Sequence, residues 1–419
     1  MDKIIVKGGT PLHGEVSAGG AKNSALILMF SSLLAEGEHI FENVPDLADV
    51  KSARSLLETF GCETEFENSV LKIRVRELTT HKADYDVVRK MRASILCLGP
   101  ILARFGEATV SMPGGCAIGS RPIDLHLDGM RALGAQMELK EGYVHASCPK
   151  LQGATYFFEK VTVGGTENMM MAASLAEGVT ILENAAKEPE ISDLAEYLNK
   201  MGAKITGHGT SLIRIEGVKS LKPSRHRVIP DRIEVGTLLI AGAITGGEVL
   251  VKNCRPDHLE SFTHKMRECG FKIETTKDTM LVKSVPNWQA VDVTTAPHPL
   301  FPTDLQAQYM ALMTLAQGTC VITETVFENR FMHVNELLRM GADITPKAQV
   351  CVVRGSKSIQ GAQVMATDLR ASASLVLAGL AAKGETTVNR IYHLDRGYEK
   401  LEAKLSKLGA QSVRAKESS

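Results

Sequence analysis

Apolar and polar residues alternate along the chain in a pattern that repeats. An apolar stretch such as "KNSALILMFSSLLAEG" or "RASILCLGPILARFG" predicts a helix ending at a glycine. A short strand rich in Val, Ile and Thr follows, as in "GEVLVKNCR" and "GTCVITETV". A second helix of the "LxxMG" type comes next, as in "YLNKMGAKITG" and "LLRMGADITPK", again closed by glycine and followed by a strand. A further short strand such as "YVHASC" completes the unit.

The first signal starts at Gly37, Gly106, Gly178, Gly247, Gly318 and Gly384, at separations of 66 to 72 residues. The second carries Gly61, Gly134, Gly202, Gly270, Gly341 and Gly409, each 23 to 28 residues after its partner. A period of about 70 exceeds that of solenoid repeats. Six such units in 419 residues predict two α/β domains of three units each. The break is expected between Lys219 and Arg232, where proline and basic residues cluster. The N-terminal strand "MDKIIVKGGTPLHGEV" lies outside the first unit and is expected to pair elsewhere.

Composition narrows the function. Lys+Arg and Asp+Glu both number 48, which argues against a nucleic-acid binder held by bulk positive charge. A small anionic ligand needs only a local cluster. No apolar run predicts a membrane helix, and the N-terminus lacks a signal-peptide pattern. The eight cysteines form no C-x-x-C pair, which suits a reduced, cytoplasmic compartment and no structural zinc. Most read as small buried hydrophobes. Cys116 differs: it sits in the Gly-rich loop "PGGCAIGSRPIDLHL" with Arg121, Asp124 and His126. A nearby arginine and a helix N-terminus lower a thiol's pKa, so Cys116 is a candidate nucleophile or proton donor in a closing lid.

Other polar motifs fall at expected helix starts or just before them: Lys22 and Asn23, Arg92, Lys160, Asp231 and Glu234, Asp304, Asp368 and Arg370, Asp395 and Arg396. Thr303-Asp304 and Thr367-Asp368 read equally as helix caps. Cations in a first turn oppose the helix dipole. Lys22, Arg92 and Lys160 are therefore better explained by an anionic ligand between the domains. No "GxxxxGK[ST]" motif supports nucleotide hydrolysis on a P-loop.

The motifs "MRAS", "PGGCAIGSRPIDLH", "KVTVGGTENMMMA", "PHPLFPTDLQAQ", "FENRFMHVNEL" and "HLDRGYE", with Lys22-Asn23, closely resemble the UDP-N-acetylglucosamine enolpyruvyl transferases. These belong to the enolpyruvyl transferase (EPSP synthase) superfamily and open peptidoglycan synthesis. The resemblance runs along essentially the whole chain. It implies a two-domain inside-out α/β barrel of six βαβαββ repeats, three per domain. The domains would be 21–229 and 1–20 plus 230–419, with the active site in the cleft between them.

It also implies that phosphoenolpyruvate transfers its enolpyruvyl group to the 3′-hydroxyl of UDP-N-acetylglucosamine, with no cofactor and no metal. The proton donor and adduct-forming residue falls on Cys116. Phosphoenolpyruvate contacts fall on Lys22, Asn23, Arg121 and Arg396, and the base for the hydroxyl on Asp304. Nucleotide-sugar contacts fall on Arg92, Arg121, Pro122, Ile123, Asp124, Leu125, Lys160, Val161, Thr162, Val163, Asp304 and Val326. The epoxide-phosphonate fosfomycin is the implied inhibitor. Leu300 departs from the pattern, which has glycine there. The sister enzyme acting on shikimate 3-phosphate shares the repeat and the donor, but the lid and the "KVTVGGTEN" run favour the nucleotide sugar. A non-catalytic nucleotide-sugar binder would not need Lys22, Cys116, Asp304 and Arg396 together.

Overall fold

The computed structural model describes residues 2–89, 91–112 and 123–416. Two compact units divide the chain. Among the described residues, one contains 2–19 and 230–416, the other 20–89, 91–112 and 123–229. Each has its own apolar core. Gly20 falls with the second because its backbone packs on Asn43, where a Cβ would lie 1.7 Å from the carbonyl oxygen.

Among the described residues the strands form six four-stranded mixed sheets of one common order. In one of them Lys82–Ala83 runs parallel to Glu107–Ser111. Tyr143–Ser147 pairs antiparallel with the latter, and Gln136–Lys140 lies outermost. Thr155–Phe157, Val179–Glu183, Leu212–Glu216 and Lys204–Thr206 repeat that order, as do Val293–Thr294, Thr319–Thr323, Val350–Arg354 and Asp343–Lys347.

The other three sheets recruit strands from distant sequence. Arg225–Arg227 joins Gly37–Glu42 in parallel, and His13–Ser17 joins Glu248–Lys252. The N-terminal strand Asp2–Lys7 inserts between Glu385–Asn389 and Gln411–Lys416, with Ile4 opposite both Val388 and Arg414. Burial alternates along these strands, as in Glu248–Lys252, where Val249 and Val251 face inward.

Among the described residues each unit also holds three helices with little polar face. Lys22–Ser31, Leu98–Phe105 and Val163–Ala173 belong to one unit. Arg232–Ile244, Gln306–Met313 and Leu369–Ala381 belong to the other, where all three pack on one another. A helix that is apolar nearly all round must be buried, so these form the unit centres. The second helix of each repeat is amphipathic, as in Pro189–Lys200, which buries Ile191, Leu194, Ala195 and Leu198.

Several local expectations change. The first apolar stretch is α-helical only to Ser31, then 3-10 over Ser32–Leu34. The second begins as a 3-10 helix, Arg92–Cys97, before Leu98–Phe105. Of the twelve repeat glycines, Gly247 alone lacks the left-handed conformation, which Gly246 takes at φ 77°. Gly247 is needed for close approach instead: a Cβ there would lie 1.9 Å from the Leu12 carbonyl oxygen. No helix among the described residues is long and apolar enough to cross a membrane.

Candidate functional site

The expected site residues fall on both units, and each set is built locally. In the unit of Gly20–Ile229, Lys22 is the first residue of its helix. Its Nζ lies 3.1 Å from Asp49 Oδ2, itself in the first turn of Ala48–Thr59. Both side chains are largely buried, so the cation is held by a carboxylate against its own helix dipole. Asn23 beside it is exposed.

Arg92 opens its 3-10 helix and is half-buried. Ile123 is buried and flanks Asp124–Ala132, whose first turn carries Asp124; Leu125 is half-buried. Thr162 caps Val163–Ala173 by accepting from Gly165 N–H at 3.2 Å. Lys160 is exposed and precedes that cap, so it lies outside the first turn where the sequence places it. Val161 is half-buried and Val163 is the first helical residue.

Further along this helix Glu167 is buried, and its carboxyl is pushed up to about 8 by burial, then by Glu190 and Glu188. His126 is also buried and its imidazole is pushed down to about 4, by burial first and the charge of Arg92 second. Cys116, Arg121 and Pro122 lie outside the described residues.

In the other unit Asp304 lies in the 3-10 turn Thr303–Leu305, ahead of Gln306–Met313. Its carboxylate is no helix cap. Oδ1 accepts from Arg330 Nη2 at 2.8 Å and Oδ2 from Arg370 Nη2 at 2.8 Å. Burial alone would raise the Asp304 pKa, but Arg370 and Arg330 overcome it and hold the carboxyl well below its usual range. Asp368, by contrast, is a cap: its Oδ1 accepts from Arg370 N–H at 2.8 Å and Ala371 N–H at 3.1 Å.

A second layer supports Asp304. Gln308 Nε2 donates to the Asp304 carbonyl at 2.9 Å and to Tyr398 Oη at 3.0 Å. Arg370 Nη1 reaches the same Tyr398 hydroxyl at 3.3 Å. Tyr398 lies two residues after Arg396, which is half-buried at the end of Ile391–Arg396. The network therefore joins Asp304 to the segment bearing Arg396. Asp395 turns away to Arg414, at 3.2 Å.

Glu324 fixes Val326. Buried Oε1 accepts from Val326 N–H at 2.8 Å and Thr295 Oγ1 at 2.8 Å, while Oε2 accepts from Thr303 Oγ1 at 2.7 Å. One carboxylate thus holds both Val326 and the residue before Asp304. Leu300 fits without glycine, since it has no positive φ and its side chain is 59% exposed.

Sequence reading missed the roles of Asp49, Glu324 and Arg330. Arg330 stood inside the quoted "FENRFMH", but nothing local ties it to Asp304, 26 positions away. The seven described cysteines are free and buried. Burial pushes the thiols of Cys62, Cys97, Cys254, Cys320 and Cys351 up to about 12. Among the described residues no group of three or more His, Cys, Asp or Glu is placed to hold a metal ion.

A UDP-N-acetylglucosamine 1-carboxyvinyltransferase of Bdellovibrio bacteriovorus is 69% identical over 97% of this chain and 99% of its own. One from Myxococcus xanthus is 57% identical over 99% of this chain and 100% of its own. Among solved structures, the enolpyruvyl transferase NikO from Streptomyces tendae matches with TM-score 0.89 and 25% identity, covering 99% of this chain and 98% of that one. EPSP synthase from Acinetobacter baumannii shares the fold at TM-score 0.75 and 18% identity, over 99% and 100% of the two chains. The family model for EPSP synthase (3-phosphoshikimate 1-carboxyvinyltransferase) matches residues 6–405, and the chain belongs to that family.

Proposed function

We propose that the chain transfers the enolpyruvyl group of phosphoenolpyruvate to the 3′-hydroxyl of UDP-N-acetylglucosamine and releases phosphate. The observation that carries this is full-length identity of 69% to a relative named for that reaction. Lys22, Cys116, Asp304 and Arg396, the residues the chemistry asks for, are all present.

The proposed route is addition then elimination. Asp304 takes the 3′-hydroxyl proton as the oxygen bonds to C2 of phosphoenolpyruvate. Cys116 supplies a proton to C3, giving a tetrahedral ketal. Loss of a C3 proton and departure of phosphate regenerate the enol ether. Lys22, Arg121 and Arg396 stabilise the phosphate, with Asn23 beside them. Arg92, Arg121, Pro122, Ile123, Asp124, Leu125, Lys160, Val161, Thr162, Val163 and Val326 hold the nucleotide sugar.

Arg330 and Arg370 keep Asp304 ionised in the resting protein, as a base must be. The same pair lowers its affinity for a proton. A substrate anion drawing on either guanidinium would restore it.

We read the six sheets and central helices as an inside-out α/β barrel of βαβαββ repeats, with domains 20–229 and 1–19 plus 230–419. The product would feed peptidoglycan synthesis in the cytoplasm, and fosfomycin would alkylate Cys116. The test is phosphate release from phosphoenolpyruvate with each acceptor in turn. Release with UDP-N-acetylglucosamine and not with shikimate 3-phosphate is expected; the reverse would overturn the assignment.

A further inference from the structure

Asn168 sits in Val163–Ala173 and is fully buried. Its Oδ1 accepts from the backbone N–H of Gly99 at 2.8 Å. Its Nδ2 donates to the carbonyl of Ile95 at 3.2 Å and lies 3.2 Å from Nδ1 of His126.

The backbone partners assign the protons. A backbone N–H can only donate, so the amide atom facing Gly99 is the oxygen. A carbonyl can only accept, so the atom facing Ile95 is the NH2 group. Its second hydrogen points to His126, whose Nδ1 must accept it. The neutral ring then carries its proton on Nε2. Burial, reinforced by Arg92, keeps the ring neutral.

Within the unit of Gly20–Ile229, the same two side chains join every described element expected to hold the nucleotide sugar. Ile95 lies in the 3-10 helix opened by Arg92, and Gly99 in the helix that continues it. His126 lies in the first turn of Asp124–Ala132, next to Ile123 and Leu125. Asn168 lies in the helix capped by Thr162. Glycines bring these elements close. A Cβ on Gly99 would lie 2.4 Å from Asn168 Oδ1, and one on Gly164 would lie 3.0 Å from His126 Cε1.

We infer that Asn168 and His126 are positioning residues for the nucleotide-sugar site, in which one amide and one Nδ1-accepting imidazole set the spacing of three of its binding segments. The ligand named here rests on the functional reading above; the tautomer does not.

Nitrogen NMR of histidine-labelled protein at neutral pH tests the tautomer, with the His126 signals identified by their loss in His126→Gln. Wild type should show Nε2 protonated and Nδ1 bare. Asn168→Asp keeps an acceptor for Gly99 but cannot donate to His126, so the proton should appear on Nδ1. Calorimetry with UDP-N-acetylglucosamine should then show affinity weakened roughly tenfold, as loss of one buried hydrogen bond implies. The KM for phosphoenolpyruvate should stay near normal. His126→Gln, whose amide oxygen can accept from Asn168, should bind the sugar nearly as wild type does, and His126→Leu should not.

A protonated Nδ1 in wild type would overturn the inference. So would equal sugar affinity in His126→Leu and wild type, which tests the role even if Asn168→Asp fails to fold. Failure of wild type itself to bind the sugar would overturn the functional reading and the ligand named here, and the nitrogen spectrum separates that outcome from failure of the clamp.

Discussion

Arg370 donates from Nη2 to Oδ2 of Asp304 over 2.8 Å, from a side chain only 5% exposed. Arg330 repeats the contact on Oδ1 at 2.8 Å. A helix cap would spend this carboxylate on backbone N–H groups; here two buried guanidiniums share it. That choice changes what substitution should do.

Asp304→Asn should lower turnover roughly 100-fold or more while leaving sugar affinity near normal, because the base proposed above acts only in the transition state. It should also destabilise the protein by about 3 kcal/mol, since two buried arginines lose their counter-charge. Asparagine caps helices as well as aspartate does, so a mere cap would show neither loss. Turnover, calorimetry and urea denaturation on this one variant check all three.

Lys22 depends on Asp49 for its placement. Asp49→Asn should raise the KM for phosphoenolpyruvate roughly tenfold, on the order of one charge-assisted hydrogen bond. Affinity for UDP-N-acetylglucosamine should not follow. Equal shifts for both substrates in steady-state kinetics would mean a general loss of structure instead.

Alkylation should report on Cys116. The described cysteines are buried, and the thiol of Cys269 is also pushed up, to about 11, chiefly by burial. Thiolates are therefore scarce at Cys62, Cys97, Cys254, Cys269, Cys320 and Cys351. Mass spectrometry after fosfomycin treatment should place the adduct on Cys116. Cys116→Ser should resist the reagent and lose most turnover, whereas Cys116→Asp should resist it and keep some.

Glu167 links stability to pH. Its folded-state pKa, about 8, lies above its ordinary value of 4.5. Between those values the native state binds a proton that the unfolded chain has released, so stability falls as pH rises. Glu167→Gln removes this term. Its unfolding free energy from urea denaturation should gain on wild type steadily from pH 5 to pH 8 and level off above, by several kcal/mol at most. A constant difference across that range would show Glu167 to be ionised throughout.

Neighbouring glycines should respond differently. Gly246 has open space around its missing Cβ but a φ of 77°, so Gly246→Ala should cost about 1 kcal/mol. Gly247→Ala drives a Cβ into the Leu12 backbone and should cost more, about 3 kcal/mol. Thermal denaturation of the pair checks the order.

Much of this protein was legible in one dimension. Helix ends, strand alternation and the two recurring glycine signals are local properties, set by the turn each residue can make and the face it presents. They located helix starts such as those at Lys22, Asp231 and Asp368, whereas Asp395 and Arg396, also expected at a helix start, end the 3-10 helix Ile391–Arg396. Motif residues such as Asp304, Arg92 and Thr162 could likewise be named as candidates. Tertiary structure decided their partners. Asp304 meets Arg330 and Arg370, from 26 and 66 positions away, and so is no cap. Asp2–Lys7 pairs with strands near the other end of the chain. Asn168 finds Gly99 and His126 only once three helices pack. Local pattern reflects what a residue does to its own backbone, but ion pairs and buried amides depend on separations through space, and those exist only after the chain has folded.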